Sequence, residues 1–308
     1  MVDILFLGTG GGRFNLVKQL RGTGGFMLLG RTLTLHVDPG PGALLRLLDA
    51  GQDPTKTDAL IVTHMHVDHV SDAGVLAEAM SGFTFTRRGL LVAAQSVLEG
   101  DRHGDRTVSR YHQGLLGECA AFGPNDSRQF EIKKEKSPSS STARAPAGPS
   151  TPASSFHLRG VPVKHDDKAG FGFVLEMDGV KIGYTSDTEY LPGIHDRAYA
   201  GLDVLIANNL KSAADGIPDH LHSGDLIKLL KSAKPKLCIL SHMGLGLIQS
   251  GPEAEAARIE SASGVPTIAG KDGYYYCTDR CGWFDAAKEK KKASEEKGRA
   301  REGQKKLE

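Results

Sequence analysis

Residues Thr63-His64-Met65-His66-Val67-Asp68-His69 place three imidazoles and a carboxylate within six consecutive positions. Four such donors are more than one ion uses comfortably. At i, i+2, i+4 and i+5 they suit a turn that wraps two ions, with His64 and His66 facing one and Asp68 and His69 the other. Two adjacent divalent ions bridged by water make a hydrolytic centre. The helical zinc signature H-E-x-x-H does not fit these spacings. The run follows the apolar stretch Ala59-Leu60-Ile61-Val62, which reads as strand, and open α/β layouts put their sites at the carboxyl ends of strands. A single histidine is ordinarily a surface or satisfied core residue, and that reading stands for most of the 12 here. It does poorly for H-x-H-x-D-H.

Two ions need more donors than this loop supplies, and three further strand ends offer them. Val161-Pro162-Val163-Lys164-His165 presents His165, Ile182-Gly183-Tyr184-Thr185-Ser186-Asp187 presents Asp187, and Leu237-Cys238-Ile239-Leu240-Ser241-His242 presents His242. Each is an apolar strand ending in a ligand-type residue. Taken alone, a strand-end Asp often caps a turn and a strand-end His bonds a carbonyl. Four repetitions of one pattern make coincidence a poor account.

The elements that must carry these ends follow from hydrophobic periodicity. Strands are expected at 3–7, 25–29 and 32–37, with the glycine loop Gly8-Thr9-Gly10-Gly11-Gly12 after the first. A dinucleotide site is a weak reading of that loop, because Arg13-Phe14-Asn15 follows it instead of an apolar helix. It reads as a tight turn bordering the cleft. A helix is expected over 43–50, the strand 59–63 delivers the metal loop, and a helix over 71–80 and a strand over 90–94 follow. Residues 100–128 receive no assignment. Residues 133–155 are rich in Ser, Pro and Ala and bury too little to offset ordering entropy, so a disordered insertion between hairpin strands 129–132 and 156–163 is expected. Strands at 171–177 and 180–184 flank an Asp178-Gly179 turn. Then come strand 204–207, helix 224–232, strand 236–240, helix 252–261 and a final strand, 274–278. Two β-rich halves, each finishing with β-α alternation, predict two facing mixed sheets with helices outside. One domain is expected over 1–285, with 286–308 a charged tail.

The bulk numbers narrow the partners. The chain has 308 residues, 39% of them hydrophobic, enough for a sizeable core, and a net charge of +1 that exerts no global pull on nucleic acid or membrane. No apolar stretch approaches the roughly 20 residues that span a bilayer. The opening Met1-Val2-Asp3-Ile4 does not read as a signal peptide. Cys119, Cys238, Cys277 and Cys281 are scattered, which fits reduced thiols and a cytoplasmic location. No membrane partner is expected, and a homodimer is compatible with the chain.

The set His64, His66, Asp68, His69, His165, Asp187 and His242 resembles the metallo-β-lactamase fold in order and local context, over about residues 1–280. The resemblance implies an αββα sandwich, with His64, His66 and His165 on one metal, Asp68, His69 and His242 on the other, and Asp187 bridging. It also implies that Asp38, ending an earlier strand, supports a ligand instead of binding an ion. Within the superfamily the chain is most similar to ribonuclease Z-like phosphodiesterases. Asp68 and His69 both follow His64-x-His66, and Asp187 stands where Cys-liganded β-lactamases differ. The segment Asp219-His220-Leu221-His222-Ser223-Gly224 resembles the one whose histidine is associated with catalysis in ribonuclease Z, and that histidine matches His222, with His220 as the fallback. Read from the residues alone, a histidine before a helix start, outside the ligand set, is a plausible proton donor; the competing reading is a helix cap. The chain departs from ribonuclease Z in carrying Ala207-Asn208-Asn209-Leu210 where that family has His-Glu-Ala-Thr. Only 21 residues separate His165 from Asp187, which leaves no room for a tRNA-gripping arm.

The expected chemistry is metal-assisted hydrolysis, of a phosphodiester before other bonds, by water whose pKa the ions lower from roughly 15.7 to about 7. Asp68 would orient the nucleophile and His222 would protonate the leaving oxygen. Zinc is the default for histidine-rich donors, with manganese or iron as alternatives. The rivals are hydrolysis of an ester, thioester or lactone at the same centre, or a metal-stabilised binding protein without turnover. Pocket walls are expected from 82–128 and from Gly244-Leu245-Gly246-Leu247.

Overall fold

The computed structural model describes residues 1–101, 103–132, 154–212 and 218–291. In chain order the strands are β1 (Asp3–Phe6), β2 (Phe26–Leu29), β3 (Thr34–Val37), β4 (Ala59–Val62), β5 (Leu90–Ala93), β6 (Glu118–Ala121), β7 (Ser127–Ile132), β8 (Ser154–Pro162), β9 (Phe171–Met177), β10 (Val180–Tyr184), β11 (Val204–Lys211), β12 (Leu221–His222), β13 (Cys238–Ser241), β14 (Thr267–Ala269), β15 (Tyr274–Cys277) and β16 (Gly282–Asp285). The helices are α1 (Gly12–Lys18), α2 (Ala43–Asp49), α3 (Val67–Val70), α4 (Ala73–Met80), α5 (Gln95–Leu98), α6 (Arg110–Leu115), α7 (Ile194–Ala198), α8 (Ser223–Ala233), α9 (Leu245–Ser250) and α10 (Pro252–Ser263).

Two eight-position sheets account for nearly all of this. The first runs β16-β15-β1-β2-β3-β4-β5-β6, antiparallel as far as β3 and parallel from there to β6. The second runs β14-β13-β11-β10-β9-β8-β7, antiparallel from β7 to β10 and parallel from β10 to β14, with the two-residue β12 added beside β11. Both sheets are therefore mixed, as the two-halves pattern predicts, and the architecture is an αββα sandwich.

Alternation along the strands explains the layers, because successive side chains point to opposite faces. On β11, Val204 and Ile206 join the large core between the sheets, while Leu205 and Ala207 join the cluster under α8 and α10. On β13, Ile239 faces inward and Cys238 and Leu240 face the helices. The helix α8 contributes Leu226, Leu229, Leu230 and Ala233 to that outer layer. These are i, i+3, i+4, i+7 positions, the stripe of an amphipathic helix. Strand β4 is buried on all four residues, as a parallel strand covered on both faces must be.

Several expectations are corrected. The segment 100–128 contains α6 and β6. A short helix, α1, does follow the glycine loop. The helix expected over 71–80 is observed as α4, starting two residues later, and an unexpected single turn, α3, precedes it; β11 continues four residues beyond Ala207. Tyr274–Cys277 is not the final strand, because β16 pairs with it and completes the first sheet. Of the Ser- and Pro-rich insertion expected over 133–155, residues 133–153 lie outside the described residues, while Ser154 and Ser155 belong to β8, which pairs with β7 with Ile132 opposite Ser154. Of the tail, 292–308 lie outside the described residues, while 286–291 are helical and Lys290 Nζ donates to Leu48 O at 3.0 Å. Among the described residues no helix is long and apolar enough to cross a membrane.

Candidate metal centre

Every sequence-nominated donor sits at the carboxyl end of a strand, and the ends converge. His64 follows β4 and His66 is the N-cap of α3, on whose single turn Asp68 and His69 lie. Because α3 turns there, Asp68 and His69 project away from the extended residues before them. His165 follows β8, Asp187 follows β10 and His242 follows β13. His64, His66, His165 and Asp187 form one group, and Asp68, His69 and His242 a second; donor atoms within each lie within 4.8 Å of one another. Asp187 Oδ2 stands between the groups, 3.9 Å from His64 Nε2, 3.5 Å from His69 Nε2 and 3.3 Å from His242 Nε2. Asp68 Oδ2 is 3.3 Å from His242 Nε2.

The hydrogen-bond partners fix which nitrogens face inward. Asp38 Oδ2 accepts from Thr63 Oγ1 at 2.7 Å, His69 Nδ1 at 3.0 Å and Tyr184 OH at 3.0 Å, and Oδ1 accepts from Thr63 N at 2.7 Å. Thr63 Oγ1, its own proton given to Asp38, accepts from Ser186 Oγ at 2.8 Å and His64 Nδ1 at 3.2 Å. His64 and His69 therefore carry their protons on Nδ1 and turn the Nε2 lone pairs inward. Those two atoms and His165 Nε2 are buried with no partner in the protein. Three buried nitrogens left bare at one spot would each cost about 1–3 kcal/mol unless something fills it. The residues fit a metal.

Electrostatics agrees. Burial disfavours charge on Asp187, but His242 and His69 outweigh it and hold the carboxyl well below its ordinary range. Burial likewise opposes charge on His69, yet Asp187 and Asp68 raise it well above the usual imidazole value. The carboxylates that raise it would likewise draw a cation to the space its Nε2 faces. Burial, followed by neighbouring His69, pushes His64 down, so it stays neutral with its lone pair free.

The network closes into a ring. Asn208 Nδ2 donates to Asp187 Oδ1 at 2.7 Å and to Tyr184 OH at 3.0 Å; Tyr184 donates to Asp38, Asp38 holds His69, and His69 faces Asp187. All five residues are buried. The sequence reading took Asn208 only as a departure and did not find Tyr184. The one available signal was a tyrosine placed at the end of a ligand-bearing strand. Three strand-end residues, Asp38 (φ 49°), Ser186 (φ 54°) and His242 (φ 51°), adopt left-handed backbone, which is uncommon outside glycine and gathers at functional sites.

The glycine loop borders the cleft, as expected. Gly11 N donates to Met243 O at 2.9 Å, and a Cβ on Gly11 would lie 2.2 Å from the His242 ring. Only glycine admits that approach.

The histidine nominated as proton donor, His222, is not brought to the cluster. It caps α8: its Nδ1 accepts from Gly224 N at 3.1 Å, and its Nε2 lies 3.1 Å from Asp225 Oδ2. Both ring nitrogens are taken, so the capping reading describes it. His220 faces the centre instead, with Nε2 3.3 Å from Asp187 Oδ2 and its ring stacked at 6.0 Å on His242. Burial opposes its protonation, but the Asp187 hydrogen bond raises it above the ordinary value, and Nδ1 donates to Pro218 O at 3.2 Å.

Above the cluster lies a pocket of about 730 Å³, walled by Phe14, Leu210, Leu245 and Leu247 with Arg13 and Lys211 at its rim. The expected wall at 244–247 is there. Residues from 82–128 instead line a neighbouring pocket of about 750 Å³, which includes Ser96, Asp101 and Thr107.

Known proteins resemble this chain along most of its length. The family described as Beta-lactamase superfamily domain matches residues 34–243. An uncharacterised protein of Methanocaldococcus jannaschii is 35% identical over 274 residues, 88% of this chain and 93% of that protein. Ribonuclease Z of Thermococcus onnurineus is 24% identical over 303 residues, again 88% and 93%. The crystal structure of the metallo-beta-lactamase fold protein YhfI from Bacillus subtilis superposes with a TM-score of 0.65 at 20% identity, covering 89% of this chain and 98% of that one.

Proposed function

Because the chain belongs to the β-lactamase superfamily, we propose that it is a metal-dependent hydrolase with a dinuclear centre that cleaves a phosphodiester in a small molecule. His64, His66 and His165 would hold the first ion, Asp68, His69 and His242 the second, and Asp187 both. The observation that carries this reading is the set of buried, partnerless Nε2 atoms of His64, His69 and His165 around the Asp187 carboxylate. Seven donors in two groups have no structural need to be dinuclear, which weighs against a binding protein without turnover. Zinc suits the nitrogen-rich first group; the second, with two carboxylates, also suits manganese or iron.

When bound, such ions acidify water and neutralise charge on the scissile group. The chain's own residues do the rest. Asp68 is held as a carboxylate: burial opposes this, but His69 and His242 prevail. It lines the pocket and orients the attacking water. His220, lining the pocket with its Nε2 3.3 Å from Asp187 Oδ2, donates the proton to the leaving oxygen, the role expected of His222 from the sequence. Phe14, Leu210, Leu245 and Leu247 exclude water around the rest of the substrate.

Charge selects the substrate. The pocket lining holds four carboxylates, Asp68, Asp166, Asp187 and Asp219, against Arg13 and Lys211. With His220 protonated as the donor, that leaves one negative charge; with two divalent ions bound the balance is three positive, which favours an anionic diester over a neutral ester. At about 730 Å³ the pocket is of small-molecule size and not that of an RNA groove. Its apolar walls support a second reading, hydrolysis of an ester, thioester or lactone. The test is to measure metal per chain and to assay bis-p-nitrophenyl phosphate beside a lactone and thioester panel. Two metals with phosphodiester turnover are expected, with His220→Ala slowing it most on diesters whose leaving group is an alkoxide. Two metals with turnover confined to the lactone panel would sink the phosphodiester assignment.

A further inference from the structure

Asp166 follows a ligand candidate in sequence and has no part in the hydrolytic scheme above. Its Oδ1 lies 3.2 Å from His66 Nε2 and 3.1 Å from His165 Nδ1, and it accepts from Asp167 N at 2.9 Å. The two histidines belong to one donor group but come from loops far apart in the chain, and their rings meet edge to face with centroids 4.7 Å apart. A carboxylate oxygen only accepts, so at these distances it favours a proton on each outer nitrogen; the other group near His165 Nδ1, Asp167 N, is farther away at 3.4 Å. His66 then offers Nδ1 inward and His165 offers Nε2, the atom that is buried without a partner.

Asp167 does the complementary work on the backbone. Its Oδ2 accepts from Met65 N at 3.0 Å and from Ser96 Oγ at 2.7 Å, and its Oδ1 accepts from Ala169 N at 3.0 Å. The His165-Asp166-Asp167 tripeptide thus ties its own loop to the H-x-H loop twice, once through side chains and once through main chain. The second donor group has a counterpart in Asp38, which grips His69 Nδ1, but the two carboxylates differ in setting. Asp38 is buried and takes four donors, whereas the Asp166 side chain is 55% exposed and lines both pockets.

We propose that Asp166 is the positioning residue of the first ion: its carboxylate sets the tautomer and orientation of His66 and His165 together, and the second ion does not depend on it. The inference rests on the dinuclear reading. Carboxylates behind ligand histidines typically change metal affinity by about 10–100-fold.

The test measures zinc stoichiometry and both dissociation constants by competition with a chromophoric chelator, for wild type, Asp166→Ala and Asp166→Asn. In Asp166→Ala one constant should rise by about 10–100-fold while the other stays put. Asp166→Asn keeps an acceptor oxygen and should recover most of the loss. The assignment is overturned if Asp166→Ala retains both constants, weakens both equally, or is not improved upon by Asp166→Asn. It is also overturned if Asp166→Ala fails to fold by far-UV circular dichroism, since an exposed clasp on two side chains does not hold up a fold. A wild type that binds fewer than two zinc ions defeats the dinuclear reading itself; two ions in wild type with an unaffected Asp166→Ala defeats only the role of Asp166.

Discussion

Replacing Tyr184 with Phe removes one oxygen from the buried ring and leaves the aromatic packing against Phe26 and Phe173 in place. Two contacts go: the hydroxyl's bond to the Asp38 carboxylate at 3.0 Å, and the bond it accepts from Asn208 Nδ2 at 3.0 Å. A hydrogen bond to a charged group contributes about 1.5–3 kcal/mol, and an orphaned buried donor costs about 1–3 kcal/mol. With some of that recovered by the apolar replacement, the expected destabilisation is about 2–4 kcal/mol. At roughly 2–3 °C per kcal/mol for a chain of this size, the melting temperature should fall by about 5–10 °C. Asp38 would still hold His69, but with one donor fewer at Oδ2, so affinity for the second ion should weaken more than for the first. The assay is thermal denaturation by far-UV circular dichroism, with zinc and after chelation, for Tyr184→Phe, Asn208→Leu and the double variant. Members of one network should couple by about 0.5–3 kcal/mol. Strictly additive effects, or a Tyr184→Phe melting curve that overlays wild type, would refute the ring.

Three other outcomes follow from the same geometry. Burial of His36, partly offset by its bond to Gly24 O, lowers its pKa to about 4. A lowered histidine gives stability that is complete above the unfolded value near 6.5 and is lost as pH falls toward 4. Urea unfolding should therefore show a decline of about 3 kcal/mol over that window from this residue, absent from the profile of His36→Gln. Gly11→Ala places a methyl group against the His242 ring and should lower zinc affinity at least tenfold in dialysis, while far-UV circular dichroism stays native. His220→Ala should reduce kcat by about 10²–10⁴ on a phosphodiester with an alkoxide leaving group, and far less on bis-p-nitrophenyl phosphate, whose nitrophenolate departs without a proton. His222→Ala should instead leave kcat near wild type and lower stability by about 1 kcal/mol in urea, the loss of a helix cap.

What could be read from the sequence was what depends on local pattern. Ala59–Val62 before His64, and Cys238–Ser241 before His242, are apolar runs ending in a donor, and period and punctuation suffice to find them. The paired halves followed from counting such runs. Strand β14 has three residues and β16 is half-buried along its whole length, so neither carries a clear alternation; β14 is held by β13, well back in the chain, and β16 by its hairpin neighbour β15 at the edge of the first sheet. Asp166, Tyr184 and Asn208 were illegible for a different reason. Their side chains act on residues of other strands, and nothing in KHDDK or IANNL marks which neighbour will lie opposite. His220 and His222 share strand parity, so alternation could not choose between them; what separates them is that the His222 ring is taken by Gly224 N and Asp225 of the following helix, while His220 reaches Asp187.

The contacts of the glycine loop set an order of events. Gly10 and Gly11 close onto Met243, and Thr9 is fixed by Asp272 through its backbone and its hydroxyl. His242 appears 173 residues after His69 in the chain. At roughly 5–20 residues per second, synthesis leaves the H-x-H-x-D-H run waiting about 10–35 s for its last partner. Throughout that interval the nascent chain displays donors without the walls that select among ions. In the proposed centre, the second donor group is complete only once the strand ending before His242 has been made, and not when the motif first emerges.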